Sequence, residues 1–286
     1  VPTTPNVSNL QTIPAKYNTI EEMYTFASQN NVSDKRRWEE KPRLCNPVDI
    51  IKTEIWFELI GKVMPTLWGI SFPDDKTSML LRRAGYKMLL AKDAYCHHFG
   101  SITIGNEMEN QLNARINYCR GRINFIKEYG MDPWGYGFAY DIGLINNMCI
   151  VEKDTTRILG INSGIGGNLL KLKSLLREKE SCKAVYIDTI TQYEMNKDDL
   201  RGISDKSIEI ENWTSFSNVI KERYDYVLLE NGFQLADLHI IEELKKILLA
   251  DGKIFLRVKS DAVKDCVLAV YKKADGTFGM GPFTLE

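Results

Sequence analysis

Two stretches of the 286-residue chain gather side chains able to do chemistry. In the first, Phe72-Pro73-Asp74-Asp75 leads into a helix expected from Thr77 to Ala84, and Tyr95-Cys96-His97-His98-Phe99-Gly100-Ser101 follows on a strand end. Adjacent carboxylates are a side-chain type that takes protons in acid–base work. At a helix start they also cap the helix and complement its dipole, and spacing alone favours the cap. His97-His98 fits a strand end that is part core and part surface, with metal ligation the rarer use. In the second stretch, Ser163-Gly164-Ile165-Gly166-Gly167 separates the strand RILGIN from the helix LLKLKSLLREKE, and Asp188 closes the next strand. Glycines in such a turn let the backbone approach a ligand closely. The third histidine, His239, stands at a helix start and reads as structural.

The elements that must position these groups follow from periodicity. Residues 1–18 are rich in Pro, Thr, Ser and Asn and form loop. Thr19 is a plausible N-cap, with Glu22 three residues on and Ile20, Met23, Tyr24 and Ala27 on one helix face. The charged run Asn30 to Lys41 reads as a solvated linker, or else as a mobile substrate-side loop. A strand Pro47 to Ile51, a helix Glu54 to Val63, strands at Met88 to Ala91 and Ala94 to His98, and a polar helix from about Asn106 to Tyr129 follow. Gly130 to Gly143 looks like a packed linker, which places a domain boundary near Ile150. Beyond it, the strands KAVYID, SIEIENW, YDYVLLE and KIFLRV alternate with helices such as LHIIEELKKILL. Such alternation means βαβ units and a mostly parallel sheet. The expected organisation is two α/β domains, 1–150 and 151–286.

Composition bounds the function classes. Hydrophobic residues make up 44% and charged residues 26%, the profile of a soluble globular protein. The 37 basic and 38 acidic side chains leave a formal charge of −1, which argues against wholesale nucleic-acid binding. Apolar runs are too short and too interrupted by charge to span a bilayer, and Val1 opens no signal peptide. The six cysteines show no CxxC pairing and read as free buried thiols of a reducing cytoplasm.

The order of pieces in the first half resembles family 2 inverting glycosyltransferases of the GT-A fold. VPTTPNVSNLQ, YNTIEEMYTFA, RLCNPVDIIKTEIWFELIG, FPDDK, RRAGYKMLLAKDAYCHHFGS and INFIKEYG appear in the family's order. The resemblance implies Asp74 as the base that takes the acceptor's proton, with Asp75 beside it. It implies His98 as a ligand to a divalent metal (Mg or Mn) or to the phosphates of a nucleotide-sugar donor, with a glycan or protein as acceptor. Pro73 and Lys76 stand where the family usually has acids. The stretch matches only the family's later half, so an open sheet edge is expected to need a partner chain or an N-terminal half.

In the second half, ILGINSGIGGNLL and YDYVLLENGFQLADLHIIEELKKILLADGKIFLRV resemble Class I S-adenosylmethionine-dependent methyltransferases. The resemblance implies cofactor binding at Gly164, Gly166 and Gly167, with Asp188 on the ribose. Gly160 replaces the usual acid of the turn, Asn162 replaces its first glycine, and Leu235 and Ala236 fall where an acid and a histidine are common. Weak or absent S-adenosylmethionine binding is therefore expected. Together the resemblances imply an inverting glycosyltransferase segment of a larger cytoplasmic glycosylation enzyme. The alternatives are an inactive scaffold or binding module, or an S-adenosylmethionine-dependent methyltransferase.

Overall fold

A computed structural model describes residues 1–62, 72–100, 108–135, 138, 140–146, 148, 150, 152–179, 181–211, 219–230, 240–258, 266–272 and 277–283. The chain divides into two compact units, Val1–Phe138 and Ala139–Glu286, so the break falls earlier than the expected residue 150. His239, Leu235 and Ala236 lie outside the described residues.

In the first unit, helix α1 (Ile20–Asn30) begins on the expected capping box. Thr19 Oγ1 accepts from the Glu22 N–H at 3.2 Å, and Glu22 Oε2 accepts from the Thr19 N–H at 3.3 Å. A three-stranded sheet follows the order β1 (Pro2–Thr3), β3 (Met88–Tyr95), β2 (Trp38–Lys41), with β2 antiparallel to β3. β3 is one continuous strand where two were expected. The charged run ending at Lys41 is neither linker nor mobile loop at its end, because it supplies β2 with Glu39, Glu40 and Lys41 buried. Lys41 Nζ lies 2.9 Å from Glu39 Oε1 and donates to the Asn9 and Leu10 carbonyls at 3.0 and 3.2 Å. Buried charge is tolerated when it is paired and hydrogen-bonded in this way, and composition alone does not reveal the pairing. No strand forms at Pro47–Ile51, and the following helix is shorter than expected, Thr53–Ile55 running into a π turn at Trp56–Ile60. Helix α2 (Pro73–Arg83) starts four residues before Thr77, since Pro73 suits the first helical position. A long helix α3 (Met108–Tyr129) follows.

The second unit carries a seven-stranded sheet. Its order is β10 (Phe278–Phe283), β9 (Cys266–Lys272), β8 (Leu248–Val258), β7 (Tyr224–Leu229), β4 (Thr155–Ile161), β5 (Ala184–Thr191), β6 (Lys206–Glu209). The five strands β6, β5, β4, β7 and β8 are parallel, and β9 and β10 close the sheet as antiparallel neighbours. This is an α/β, Rossmann-like arrangement with a mostly parallel sheet. Helices α4 (Ile142–Asn146), α5 (Gly167–Arg177), α6 (Lys197–Arg201) and α7 (Ile240–Lys246) accompany it.

Strand alternation sorts the core onto two faces. Ile158, Tyr226 and Leu228 pack with Leu144 of α4 and with Leu169, Leu172 and Leu176 of α5. Leu159, Ile161, Val227 and Leu229 pack with Ile240, Ile241 and Leu244 of α7. Strands buried on both faces read as continuous apolar runs, which is why the ILGI and YVLL segments are legible.

Candidate functional site

In an open parallel sheet, ligands sit beyond the carboxyl ends of the strands where successive connections depart in opposite directions. Here β4 connects onward to β5 and β6 on one side, and β7 and β8 extend on the other, so that point lies between the ends of β4 and β7. Ile161 pairs with Leu229 there, and the Glu230 N–H donates to the Ile161 carbonyl at 3.1 Å. The turn after β4 therefore stands directly beside Glu230.

Three residues of that turn adopt left-handed backbone: Asn162 (φ 52°), Gly164 (φ 56°) and Gly166 (φ 84°). Asn162 tolerates this conformation better than most side chains, so the glycine missing at 162 costs the turn little. It also fastens β4 to β5, accepting from the Gln192 N–H at 3.1 Å while its own N–H donates to Ile190 at 2.9 Å. Gly166 is required on a second count: a Cβ there would lie 1.9 Å from Ile203 Cδ1. Gly167 then opens α5, whose first-turn N–H groups have no acceptor within the helix.

The carboxylate of the site comes from β7. Glu230 Oε2 accepts from Asn168 Nδ2 at 2.5 Å, and Asn168 Oδ1 accepts from the Asp141 N–H at 3.0 Å, which fixes the amide's orientation. Glu230 Oε1 and Ser163 Oγ are buried, and neither has a hydrogen-bond partner among the described residues. Burial pushes the Glu230 carboxyl up to about 7, with the nearby Asp141 adding to the rise and Asn168 and Ser163 opposing it. A Cβ on Gly160 would meet the Leu169 methyls at 2.5 and 2.8 Å and Ser163 Oγ at 2.8 Å, so a side chain there would require both neighbours to shift. An orphaned buried carboxyl oxygen beside a backbone cradle that Cβ atoms would fill suits a ligand with both donor and acceptor groups.

Of the residues singled out by sequence, Gly164, Gly166 and Gly167 lie together in this turn. Asp188 does not join them. It lies inside β5, three residues short of the strand's end, and accepts from the Tyr224 hydroxyl at 2.8 Å. Glu230, Asn168 and Ser163 were missed, although an acid directly after the apolar run of YDYVLL was a visible signal.

In the first unit, Asp74 and Asp75 occupy the first turn of α2. Asp75 Oδ1 lies 2.9 Å from Arg43 Nη1, and Asp74 Oδ2 accepts from the Asn46 N–H at 3.4 Å. Burial raises both carboxyls, Asp75 to about 6. His98 Nδ1 pairs with Asn6 Oδ1 at 2.8 Å, and no hydrogen bond or ion pair among the described residues joins it to either acid. His97 instead shares a hydrogen bond with the Tyr17 hydroxyl, which also meets that of Tyr95. No group of three or more His, Cys, Asp or Glu side chains placed to hold a metal ion occurs among the described residues. Cys45, Cys96 and Cys182 are half-buried free thiols, and Cys119 is exposed where burial was expected.

No family model and no curated protein matches the chain. Similar solved structures include a protein-L-isoaspartate O-methyltransferase from Plasmodium falciparum in complex with S-adenosyl-L-homocysteine, 18% identical. That match covers 49% of this chain and 65% of the other, with a TM-score of 0.33. A class I S-adenosylmethionine-dependent methyltransferase from Listeria monocytogenes is 16% identical over 55% of this chain and 56% of its own, with a TM-score of 0.34. The precorrin-6y C5,15-methyltransferase of Geobacter metallireducens is 12% identical over 49% and 82%, with a TM-score of 0.33. The chain thus spans less than two thirds of the Plasmodium and Listeria proteins.

These comparisons correct the sequence-derived assignment. The three structures described are titled as methyltransferases and none as a glycosyltransferase, so the family 2, GT-A assignment is withdrawn, and with it the nucleotide-sugar donor and the divalent metal. The expectation of weak or absent S-adenosylmethionine binding is withdrawn as well: the Plasmodium protein is titled as a complex with S-adenosyl-L-homocysteine. No helix among the described residues is long and apolar enough to cross a membrane.

Proposed function

We propose that the second unit binds S-adenosylmethionine at the carboxyl edge of its sheet and belongs to a methyl-transferring enzyme. The observation that carries this is the meeting of three features at one point, where the sheet's connections diverge. These are the left-handed turn Asn162–Gly166, the N-terminus of α5, and the buried carboxyl of Glu230. The turn would admit the ligand to within backbone contact, because Gly164 and Gly166 present no side chain to it. The N–H groups of α5's first turn would hold a carboxylate of the ligand, and Glu230 and Asn168 would face its hydrogen-bond donors. When bound, the cofactor supplies a sulfonium methyl group to an acceptor nucleophile. The chain's own part is to orient that sulfonium and keep water from it.

Calorimetric titration of the full chain with S-adenosylhomocysteine tests the proposal. A Kd of about 1–10 μM is expected, equivalent to about −7 to −8 kcal/mol. No heat and no thermal shift at about millimolar ligand would remove the proposal, because a ligand that binds only the folded state must stabilise it.

A further inference from the structure

Resting on that ligand site, we propose that Glu230 is its acid: carried in on the end of β7, it receives the α-ammonium of the ligand's amino-acid end. Position 160, on the strand that leads into the turn, is glycine and carries no acid, and a Cβ there would have to displace the ends of the Leu169 and Ser163 side chains. The end of β7 is the neighbouring point from which a carboxylate can reach the same turn, and its backbone is held there by the bond from the Glu230 N–H to Ile161.

The state of the carboxylate points to a missing partner. One oxygen is taken by Asn168, whose own orientation is locked by the Asp141 N–H. The other, Oε1, is buried with no hydrogen-bond partner among the described residues. A buried charge with one oxygen unsatisfied is costly, and a cation arriving as a donor would offset the cost. The groups facing Glu230 are Ser163 from the turn, Asn168 from α5 and Asp141 from the segment before α4; the last is an acid and adds to the demand for positive charge. Beside this acceptor, the first turn of α5 offers N–H donors. A donor row next to one acceptor carboxylate matches a zwitterionic amino-acid end, with its carboxylate on the helix and its ammonium on Glu230.

The test compares two probes on the full chain: S-adenosylhomocysteine, which carries the amino-acid end, and 5′-methylthioadenosine, which keeps the nucleoside and thioether but lacks it. Glu230→Gln, whose fold is checked by circular dichroism, is expected to weaken the first probe by at least about tenfold and the second by less than about twofold. Wild-type affinity for S-adenosylhomocysteine is expected to rise about tenfold from pH 6 to pH 8 as the carboxyl ionises through a pKa near 7. That rise is expected to disappear in Glu230→Gln and to return in Glu230→Asp. Equal losses on both probes would mean that Glu230 only props the turn, and no loss would mean that it touches neither; either result overturns the inference. Wild-type chain that binds neither probe would overturn the ligand site itself along with it.

Discussion

Replacing Gly166 by alanine tests whether the turn after β4 is held in its conformation by backbone and packing together. Gly166 is the N-cap of α5, at φ 84° and ψ 21°. A residue with a Cβ pays about 1–2 kcal/mol to occupy left-handed backbone. The added methyl would also stand 1.9 Å from Ile203 Cδ1 and 3.3 Å from its Cγ1, well inside contact distance. Relieving that overlap forces Ile203 out of its packing against the α5 face of the sheet, at a cost of about 1–3 kcal/mol. The two contributions predict that Gly166→Ala destabilises the second unit by about 2–5 kcal/mol. They separate in a double-mutant cycle: in an Ile203→Ala background the overlap is gone, and only about 1–2 kcal/mol should remain. The coupling between the two sites is then about 1–3 kcal/mol. Urea unfolding of the four chains, followed by far-ultraviolet circular dichroism, measures each quantity. A Gly166→Ala cost below about 0.5 kcal/mol, or the same cost in both backgrounds, would refute the reasoning.

Two further perturbations probe buried acids. Tyr224→Phe removes the hydroxyl that donates to buried Asp188 and should cost the second unit about 1–3 kcal/mol; a shift under about 0.5 kcal/mol would show that Asp188 has other support. Asp75 titrates at about 6 when folded against an ordinary 3.8, raised by burial. Its contribution to stability is therefore complete below about pH 4 and is lost as pH rises through about 6. Wild type should lose up to about 3 kcal/mol relative to Asp75→Asn over that interval, and parallel denaturation midpoints at pH 4 and pH 8 would contradict this.

The largely continuous apolar runs of β4, β7 and β8, and the glycines after β4, made the parallel sheet and its turn readable directly from the chain. They are local signals: a strand buried on both faces must be apolar throughout, and a turn into a helix needs residues that accept positive φ. The capping box at Thr19 and Glu22 was legible for the same reason, because both partners lie within one helical turn.

What sequence could not show was decided by contacts between distant segments. The run containing Glu39 and Lys41 looks solvated by composition, yet the two charges pair with each other, Lys41 also donates to the carbonyls of Asn9 and Leu10, and the run passes into a strand. Asp188 appeared to close a strand at a ligand edge, but β5 continues to Thr191 and turns that acid toward Tyr224. Glycine at 160 looked like the loss of an acid. Only the folded sheet, which sets β7 beside β4, shows that Leu169 fills that space and that Glu230, seventy residues away in sequence, brings a carboxylate to the same turn. Which segments become neighbours depends on strand order, and strand order is fixed by how the apolar faces of all the helices and strands are buried together.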